Sequence, residues 1–536
     1  MALASFGRDS RVRAFPLFAG GLALAVAAAF AGFLYLPASR PSRLPSVEAL
    51  RSGGGVEGRA RNTVVIVLDG ARRAEFEALA ATRPALAALG QRAARFEGTA
   101  GHPSISRPMY ATLGSGASPR LHGVTGNAHK GKLRMRTLID EARARGLTTL
   151  VRDDRTTFWW DLLASPPTER VVRIDTLIER LRAAPRAFAV VHVLDADDAA
   201  HRHGAVSDAY QEALRRDVDV VEQIAVAMDL ERDVLVVTAD HGHRDRGGHG
   251  GPEREVVAVP LWIVGRGARA GAIGPARAVD VAATVAVLLG LPLPAHGEGR
   301  PLFEGLQLAA GAEDAWAQVW LSQRWRLTSS LLTGLGEGAL PPPQIPRGEL
   351  ALRTASAVVE TYEGRIEAAY ARRDQQDMRW RSLGVAPLFL GAMIWLFRRR
   401  TLARTLFWAL VPMVLMYALW AAVLPFSLSA VRVKWEFYLL LALFASLASD
   451  LGALGAWLHW RRTRVPGGMR DIGLVTLVFT LLELAALFAW HGLSIGHGLP
   501  SPEGFFLPVL VLSRLAVIGV LWGGILPWLG RRAQAR

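Results

Sequence analysis

Residues 233–250 read DVLVVTADHGHRDRGGHG. An apolar, β-branched run of this length, closed by turn residues, is the pattern of a strand buried on both faces. It ends on Asp240 and His241, and His249 follows in a glycine-rich GGHGG. Working outward, two further runs have the same form. TVVIVL (63–68) ends on Asp69, and AFAVVHVL (187–194) is followed by Asp195 and Asp197. Shorter runs at 148–151 and 260–264 complete the predicted strands. Helical patterns at 72–90, 107–115, 136–145, 205–228 and 280–290 alternate with them. This alternation predicts an α/β domain over 60–305, a mostly parallel sheet sandwiched by helices. In such sheets ligands bind at the carboxyl ends of the strands.

Three strand ends therefore carry carboxylate or imidazole. An Asp after one strand is most often a helix cap. Three such ends, joined by correctly spaced histidines, predict a metal site instead. Asp197 and His201 stand four apart, so a helical turn presents both to one point. Asp240 and His241 are adjacent at a strand exit, and the glycines around His249 let the chain fold back. Carboxylate with imidazole suits zinc, and there are ligands enough for two ions. Two ions suit in-line displacement at phosphorus.

A nucleophile is available in PSISRP (103–108), which precedes a predicted helix. Ser106 would lie at the helix N-terminus, where N–H groups and the dipole favour anions. Arg107, His243 and His203 are candidate substrate contacts, with Asp245 and Arg246 beside them. His102 and His122 read as structural. Asp195 reads as support for a neighbouring ligand.

Composition sets the wider frame. Of 536 residues 51% are apolar, and there is no cysteine, which excludes disulfides, cysteine-ligated zinc and a cysteine nucleophile. The net charge is +15, and only three of the 62 basic residues are lysine. The arginines cluster at the ends of apolar segments. Residues 15–36 carry no charge over 22 positions and are long enough for an uncleaved membrane anchor. Further spans are predicted near 383–397, 406–426, 435–460, 472–490 and 505–529. With the N-terminus in the cytoplasm, the first span exports residues 37–381 and five more return the chain. Arg398–Arg400 and Arg404, Arg461, Arg462, Arg464 and Arg470, and Arg531, Arg532 and Arg536 all fall on the cytoplasmic side. The basic charge then marks topology, and nucleic-acid binding is not expected. Asp450, Glu483 and Arg514 lie inside proposed spans, either as an internal ion pair or as a polar cleft for a lipid head group. The predicted domains are an anchor (1–37), a linker (38–59), the catalytic domain (60–305), a helical stalk (306–381) and a transmembrane bundle of about five spans (382–530).

In order, these motifs resemble the alkaline phosphatase superfamily. They are strand–Asp69–Gly70, PSISRPMYATLGSG, His122–Gly123, DDAAH (197–201), DHG (240–242) and His249, with DVAATVAVLLGLPLPAHGEGRPL (280–302) closing the domain. The resemblance implies two divalent ions, usually zinc. Asp69, Ser106, Asp240 and His241 would hold one, and Asp197, His201 and His249 the other. Ser106 would become a transient phospho-serine. The run 106–109 lacks the Thr-Phe-Pro-Asn of nucleotide pyrophosphatases, and SISRP does not fit a sulfatase. DHGHRDRGGHG and the S-R-P run are most similar to GPI ethanolamine-phosphate transferases, as is the layout of one anchor, exported domain and membrane bundle.

The sequence therefore predicts an alkaline-phosphatase-like α/β domain plus an α-helical transmembrane bundle. The expected activity is transfer of a phosphoethanolamine-like head group, or hydrolysis of a phosphodiester. The expected substrate is a membrane lipid or lipid-linked glycan, outside the cytoplasmic face of a bacterial inner membrane. The alternative is a lipid transporter or scaffold whose outer domain only binds. Acceptor and oligomeric state do not follow from the sequence.

Overall fold

The computed structural model describes residues 60–344 except 128 and 154, then 351–398, 402–423, 427, 429, 434–463, 475–483, 485, 486 and 511. The anchor at 15–36, the linker at 38–59 and, apart from Val511, the span at 505–529 lie outside the described residues. The described chain forms two compact units, divided between Arg373 and Asp374.

The first unit is built on eight strands: β1 (Asn62–Leu68), β2 (Ala93–Thr99), β3 (Thr148–Arg152), β4 (Glu169–Arg170), β5 (Ala187–Val193), β6 (Val234–Thr238), β7 (Ala258–Gly265) and β8 (Ile273–Arg277). Their order is β4-β3-β5-β1-β6-β7-β2-β8. β4, β3, β5, β1 and β6 run parallel, β7 is antiparallel to both its neighbours, and β2 and β8 are parallel to each other. The sheet is therefore mixed, with one reversed strand. Every residue of β1, β5 and β6 is buried, as continuous apolar runs require.

Three strands do not follow from the apolar pattern. β2 (AARFEGT) exposes Arg95, Glu97 and Thr99 in alternation, β4 has two residues, and β8 (IGPAR) lies at the sheet edge. The starts of the central strands are pinned by polar contacts. Asn62 donates to the Leu181 carbonyl at 3.1 Å and accepts from the Ala187 N–H at 2.9 Å, tying β1 to β5. Arg61 pairs with Asp233 at 2.7 Å, ahead of β6.

The helices of this unit with five or more residues are α1 (Arg73–Thr82), α2 (Pro84–Gln91), α3 (Ser106–Ser115), α4 (Leu138–Ala144), α5 (Phe158–Leu162), α6 (Ile174–Ala183), α7 (Asp195–His203), α8 (Asp208–Ala227), α9 (Ala278–Leu289) and α10 (Ala312–Gly334). The single helix predicted over 72–90 is two. Pro84 opens α2, and Arg83 before it is extended, because a residue preceding proline is forced out of the helical region. Phe76 of α1 meets Trp262 of β7 edge-on, with ring centroids 5.0 Å apart.

The segment after 305 joins the same core. Trp316, Trp320, Leu321 and Leu327 of α10 are buried in it, as are Val359 and Ile366 of α11 (Ala351–Phe397). Gln323 donates to the carbonyls of Pro294, Ala295 and Gly297, and Trp320 to that of Gly299. A polar face of α10 thus holds the 294–299 loop.

The second unit contains the end of α11, α12 (Leu402–Val423), α13 (Lys434–Thr463) and helical residues 475–483. Among the described residues, no helix is long and apolar enough to cross a membrane. Apolar side chains nevertheless face outward, including Leu383, Leu390, Phe397, Phe407, Val414 and Leu443. Gly452 and Gly455 of α13 meet Pro412 and Trp408 of α12 where no side chain would fit. Tyr417 donates a hydrogen bond to Glu483, while Asp450 is exposed and Arg514 lies outside the described residues.

His122, beyond α3, gives a pH test of the first unit. It is buried, accepts from the Val124 N–H at Nδ1 (3.0 Å) and lies 3.1 Å from Thr112 Oγ1 through Nε2. Burial, with a contribution from His129, pushes its pKa down from 6.5 to about 3. Between these values the unfolded chain binds a proton that the folded chain refuses. Stability is therefore lost as pH falls below about 6.5, by about 1.4 kcal/mol per unit from this group. His122→Gln should flatten the acid limb of the unfolding midpoint against pH, measured by calorimetry on the intact chain. An unchanged slope would show that His122 is not buried neutral.

Candidate metal centre

The sheet delivers its acidic ends to one place. Asp69 follows β1 directly, Asp240 and His241 follow β6, and Asp197 lies on α7 just after β5. Gly70, at φ 72°, lets the chain turn away after Asp69. A Cβ there would lie 2.8 Å from both Asp197 Cα and His243 Nε2, so only glycine fits this close approach.

Two groups of ligand-type atoms result. Asp69, Asp240 and His241 form one, and Asp197, His241, His243 and His249 the other, with the atoms of each group within 4.8 Å of one another. His241 is shared. Its Nε2 lies 3.3 Å from Asp240 Oδ2, 3.5 Å from Asp69 Oδ1 and 3.3 Å from Ser106 Oγ. The predicted nucleophile is the first residue of α3 and is buried beside the first group. His201 Nε2 lies 3.2 Å from His249 Nε2 and 3.4 Å from Asp197 Oδ1, adjoining the second group.

The tautomers favour a cation. His249 Nδ1 lies 2.9 Å from the Ser104 carbonyl, and His241 Nδ1 lies 3.2 Å from the Gly242 carbonyl. A carbonyl only accepts, so each Nδ1 carries the hydrogen and each Nε2 turns a lone pair inward. Among the described residues, Asp69 Oδ1, Asp240 Oδ2 and His243 Nδ1 are buried without hydrogen-bond partners. Burial, then the charges of Asp69 and Asp197, hold the Asp240 carboxyl well above the usual range. Burial and neighbouring imidazoles hold His241 and His243 well below theirs and bring His249 to about 4. Electron-rich atoms crowded without positive charge are what a divalent ion neutralises. The residues present fit such an ion.

Asp69 is steadied from behind. His192 is fully buried, with Nε2 3.0 Å from Asp69 Oδ2 and Nδ1 3.1 Å from Asp153 Oδ1. Burial alone would lower its pKa, but hydrogen bonds to Asp153 and Asp69 outweigh this and push it up to about 9. Tyr110, one helical turn after Ser106, donates to Asp69 Oδ2 and lies 2.7 Å from His192 Nε2. These three residues were not among the sequence candidates. The signals were a histidine within the apolar run AVVHVL, an Asp after β3 and a tyrosine four residues from the nucleophile.

Other candidates are placed differently. His243, expected at the substrate, is buried in the second group, with Nε2 2.9 Å from Asp197 Oδ1. His203 is exposed at the end of α7 and belongs to neither group, because the helix carries it past the strand ends. Arg107 is buried: it donates to the His129 carbonyl, pairs with Asp161 at 3.2 Å and lies 4.2 Å above the Phe158 ring. Its guanidinium is thus held by the protein. Asp195 turns to Arg155 (2.6 Å) and Arg216 (3.1 Å), not to a ligand. Asp245 pairs with Arg72 at 2.8 Å, and Arg246 is exposed. Asn127 Oδ1 accepts from the Arg107 N–H at 2.9 Å, beside the start of α3.

Residues 63–161 match the family of type I phosphodiesterase / nucleotide pyrophosphatase, and residues 162–293 match the metalloenzyme superfamily. The catalytic subunit of GPI ethanolamine phosphate transferase 2 from Homo sapiens is 26% identical over 227 residues, 38% of this chain and 23% of that one. The catalytic subunit of GPI ethanolamine phosphate transferase 3 from Homo sapiens is 30% identical over 131 residues, 24% of this chain and 12% of that one. The chain thus matches less than a quarter of the length of these relatives. Among solved structures, the zinc complex of the C-terminal periplasmic domain of EcEptC from Escherichia coli aligns with TM-score 0.36 and 13% identity, covering 48% of this chain and 89% of that one.

Gly70→Ala provides a test that does not need turnover. The added methyl must displace Asp197 or His243, so the variant should retain less zinc than the parent after dialysis against a weak chelator, measured by elemental analysis. Asp240→Asn should show a similar loss. Equal metal content in all three proteins would separate these residues from metal binding.

Proposed function

We propose that the chain transfers a head-group phosphate, or hydrolyses a phosphodiester, through phospho-Ser106, a reading supported by the matches of residues 63–161 to the type I phosphodiesterase / nucleotide pyrophosphatase family and of residues 162–293 to the metalloenzyme superfamily. The observation that carries this reading is the Ser106 hydroxyl, buried at a helix N-terminus 3.3 Å from His241 Nε2, beside the acid cluster. Two divalent ions, zinc by the donor set, would be held by Asp69, Ser106, Asp240 and His241 and by Asp197, His201 and His249, with His243 against Asp197 in the second group. When bound, they supply positive charge to the phosphoryl oxygens and to the Ser106 oxygen.

The chain's own groups supply nucleophile, orientation and shelter. Ser106 Oγ gives up its proton and bonds to phosphorus, while the P–O bond to the first alcohol breaks and that alcohol leaves with a proton. In the second half, water or an acceptor alcohol bonds to phosphorus and loses its proton, and the bond to Ser106 Oγ breaks. The buried N-terminus of α3 turns its dipole toward the negative charge of the intermediate. Tyr110 and His192 hold Asp69 through Oδ2, leaving Oδ1 directed at the cluster.

The names of the relatives favour phosphoethanolamine as the transferred group and a lipid-linked molecule as substrate. A membrane location is supported by the outward apolar side chains of the second unit and by the glycine-mediated approach of α13 to α12, a packing common between membrane helices. The arginine clusters support an inner-membrane protein whose catalytic domain faces the periplasm.

The test is turnover of bis(4-nitrophenyl) phosphate, and of phosphatidylethanolamine in mixed micelles, by the zinc-loaded chain. Ser106→Ala should lower the rate by roughly a thousandfold or more. Mass spectrometry of quenched wild-type protein should find the adduct on Ser106. Activity that survives the substitution would refute the phospho-serine route. Independently, the chain should resist alkaline carbonate extraction, and a reporter inserted after residue 40 should be active only in the periplasm. A cytoplasmic signal would reverse the proposed topology.

A further inference from the structure

A groove of about 790 Å³ opens beside α3, lined by Arg107, Asn127, His129, Lys130, Lys132 and Trp160 among others. It begins one residue from the nucleophile, where Asn127 accepts from the Arg107 N–H. Its charge is unusual for this chain. Nearly all basic residues are arginine, yet two of the three lysines line this groove. Both are exposed, and among the described residues neither pairs with a carboxylate. Asp161, the acid in the lining, is already engaged by Arg107 at 3.2 Å and by the Thr157 hydroxyl at 2.9 Å. It therefore does not neutralise the lysines. Arg107 Nε and His129 Nε2, on two of the lining residues, are buried without hydrogen-bond partners among the described residues. Trp160 adds a half-exposed aromatic surface.

We propose that this groove seats a second phosphate of the substrate, one that is bound but not transferred. The proposal rests on the phosphoryl-transfer reading of Ser106. The volume falls in the range of small-molecule sites and exceeds what one phosphate needs, so carbon atoms of the same molecule would rest against Trp160. Lysine suits the task because its ammonium is a mobile point charge. It can follow a phosphate held at variable angles, whereas a guanidinium prefers a fixed fork. The groove thereby separates two anions on one molecule: the phosphorus at Ser106 is displaced, and the phosphate at Lys130 and Lys132 fixes which end enters.

Calorimetric binding to the zinc-loaded full chain carrying Ser106→Ala tests this without turnover. Glycerol 1,3-bisphosphate should bind about tenfold more tightly than glycerol phosphate, the size expected of two partly exposed charge contacts. K130A/K132A should abolish that preference, and K130R/K132R, which keeps the charge but not its mobility, should restore only part of it. A preference absent from the parent, or undiminished in K130A/K132A, overturns the proposal. Either overturning result leaves the Ser106 chemistry standing, whereas absence of the Ser106 adduct would count against the catalytic reading and not against the binding preference. Competition with mixed micelles identifies the source. Displacement of the bisphosphate by phosphatidylglycerol but not phosphatidylcholine assigns the second phosphate to a lipid head group. Absence of displacement, with the preference intact, assigns it to a soluble phosphate.

Discussion

Asp69 Oδ1, Asp240 Oδ2 and the inward lone pair of His241 are buried together at the end of the sheet, with no cationic side chain of the described residues among them. Such atoms repel one another, and burial denies them water. The surrounding fold holds them together. β1 and β6 are adjacent and parallel, so their last residues emerge side by side. Gly70 removes the side chain that would keep α7 away. The charge that His192 carries between Asp69 and Asp153 balances one carboxylate from outside the cluster. The remaining imbalance is what a pair of divalent ions would satisfy.

That constraint also explains why this site was legible from the chain. Asp69, Asp197, Asp240 and His241 stand out because each interrupts or ends an apolar run, and strand ends in a parallel sheet share one edge. His201 and His249 followed from helical spacing and from glycine-rich sequence. Contacts made across the sheet were not legible in this way. Nothing in DHGHRDRGGHG tells whether His243 points to solvent or inward, because the turn after β6 is set by the Gly242 N–H donating to the Val256 carbonyl. His203 lies two residues from His201 and so falls on another side of α7. Arg107 looked available to a phosphate because it follows Ser106 directly. Phe158 and Asp161, some fifty residues away, are what claim it.

The same division holds for the fold. Buried strands with unbroken apolar runs are visible, while β2 and β8 are not, since their identity depends on pairing with β7 and with each other. The proline at 84 was a local signal for a break in the first helix. The contribution of α10 to the core was masked by its polar composition, because Gln323 and Arg324 are buried by bonding to backbone carbonyls.

Those carbonyls belong to the 294–299 loop, and the loop reaches further. Glu298 donates its N–H to the Gly116 carbonyl at 2.7 Å, and its carboxylate accepts from the Ser118 N–H. Gly116 is the left-handed residue that ends α3, the helix that begins at Ser106. The helix that begins at Ser106 is thus moored at its far end, through a loop clasped by residues beyond 311. A shorter piece of the chain ending near 305 would contain every candidate ligand and Ser106, yet would lack the α10 contacts that hold the loop bonded to the end of α3. The contacts that fix this helix therefore extend well past the candidate site in the sequence.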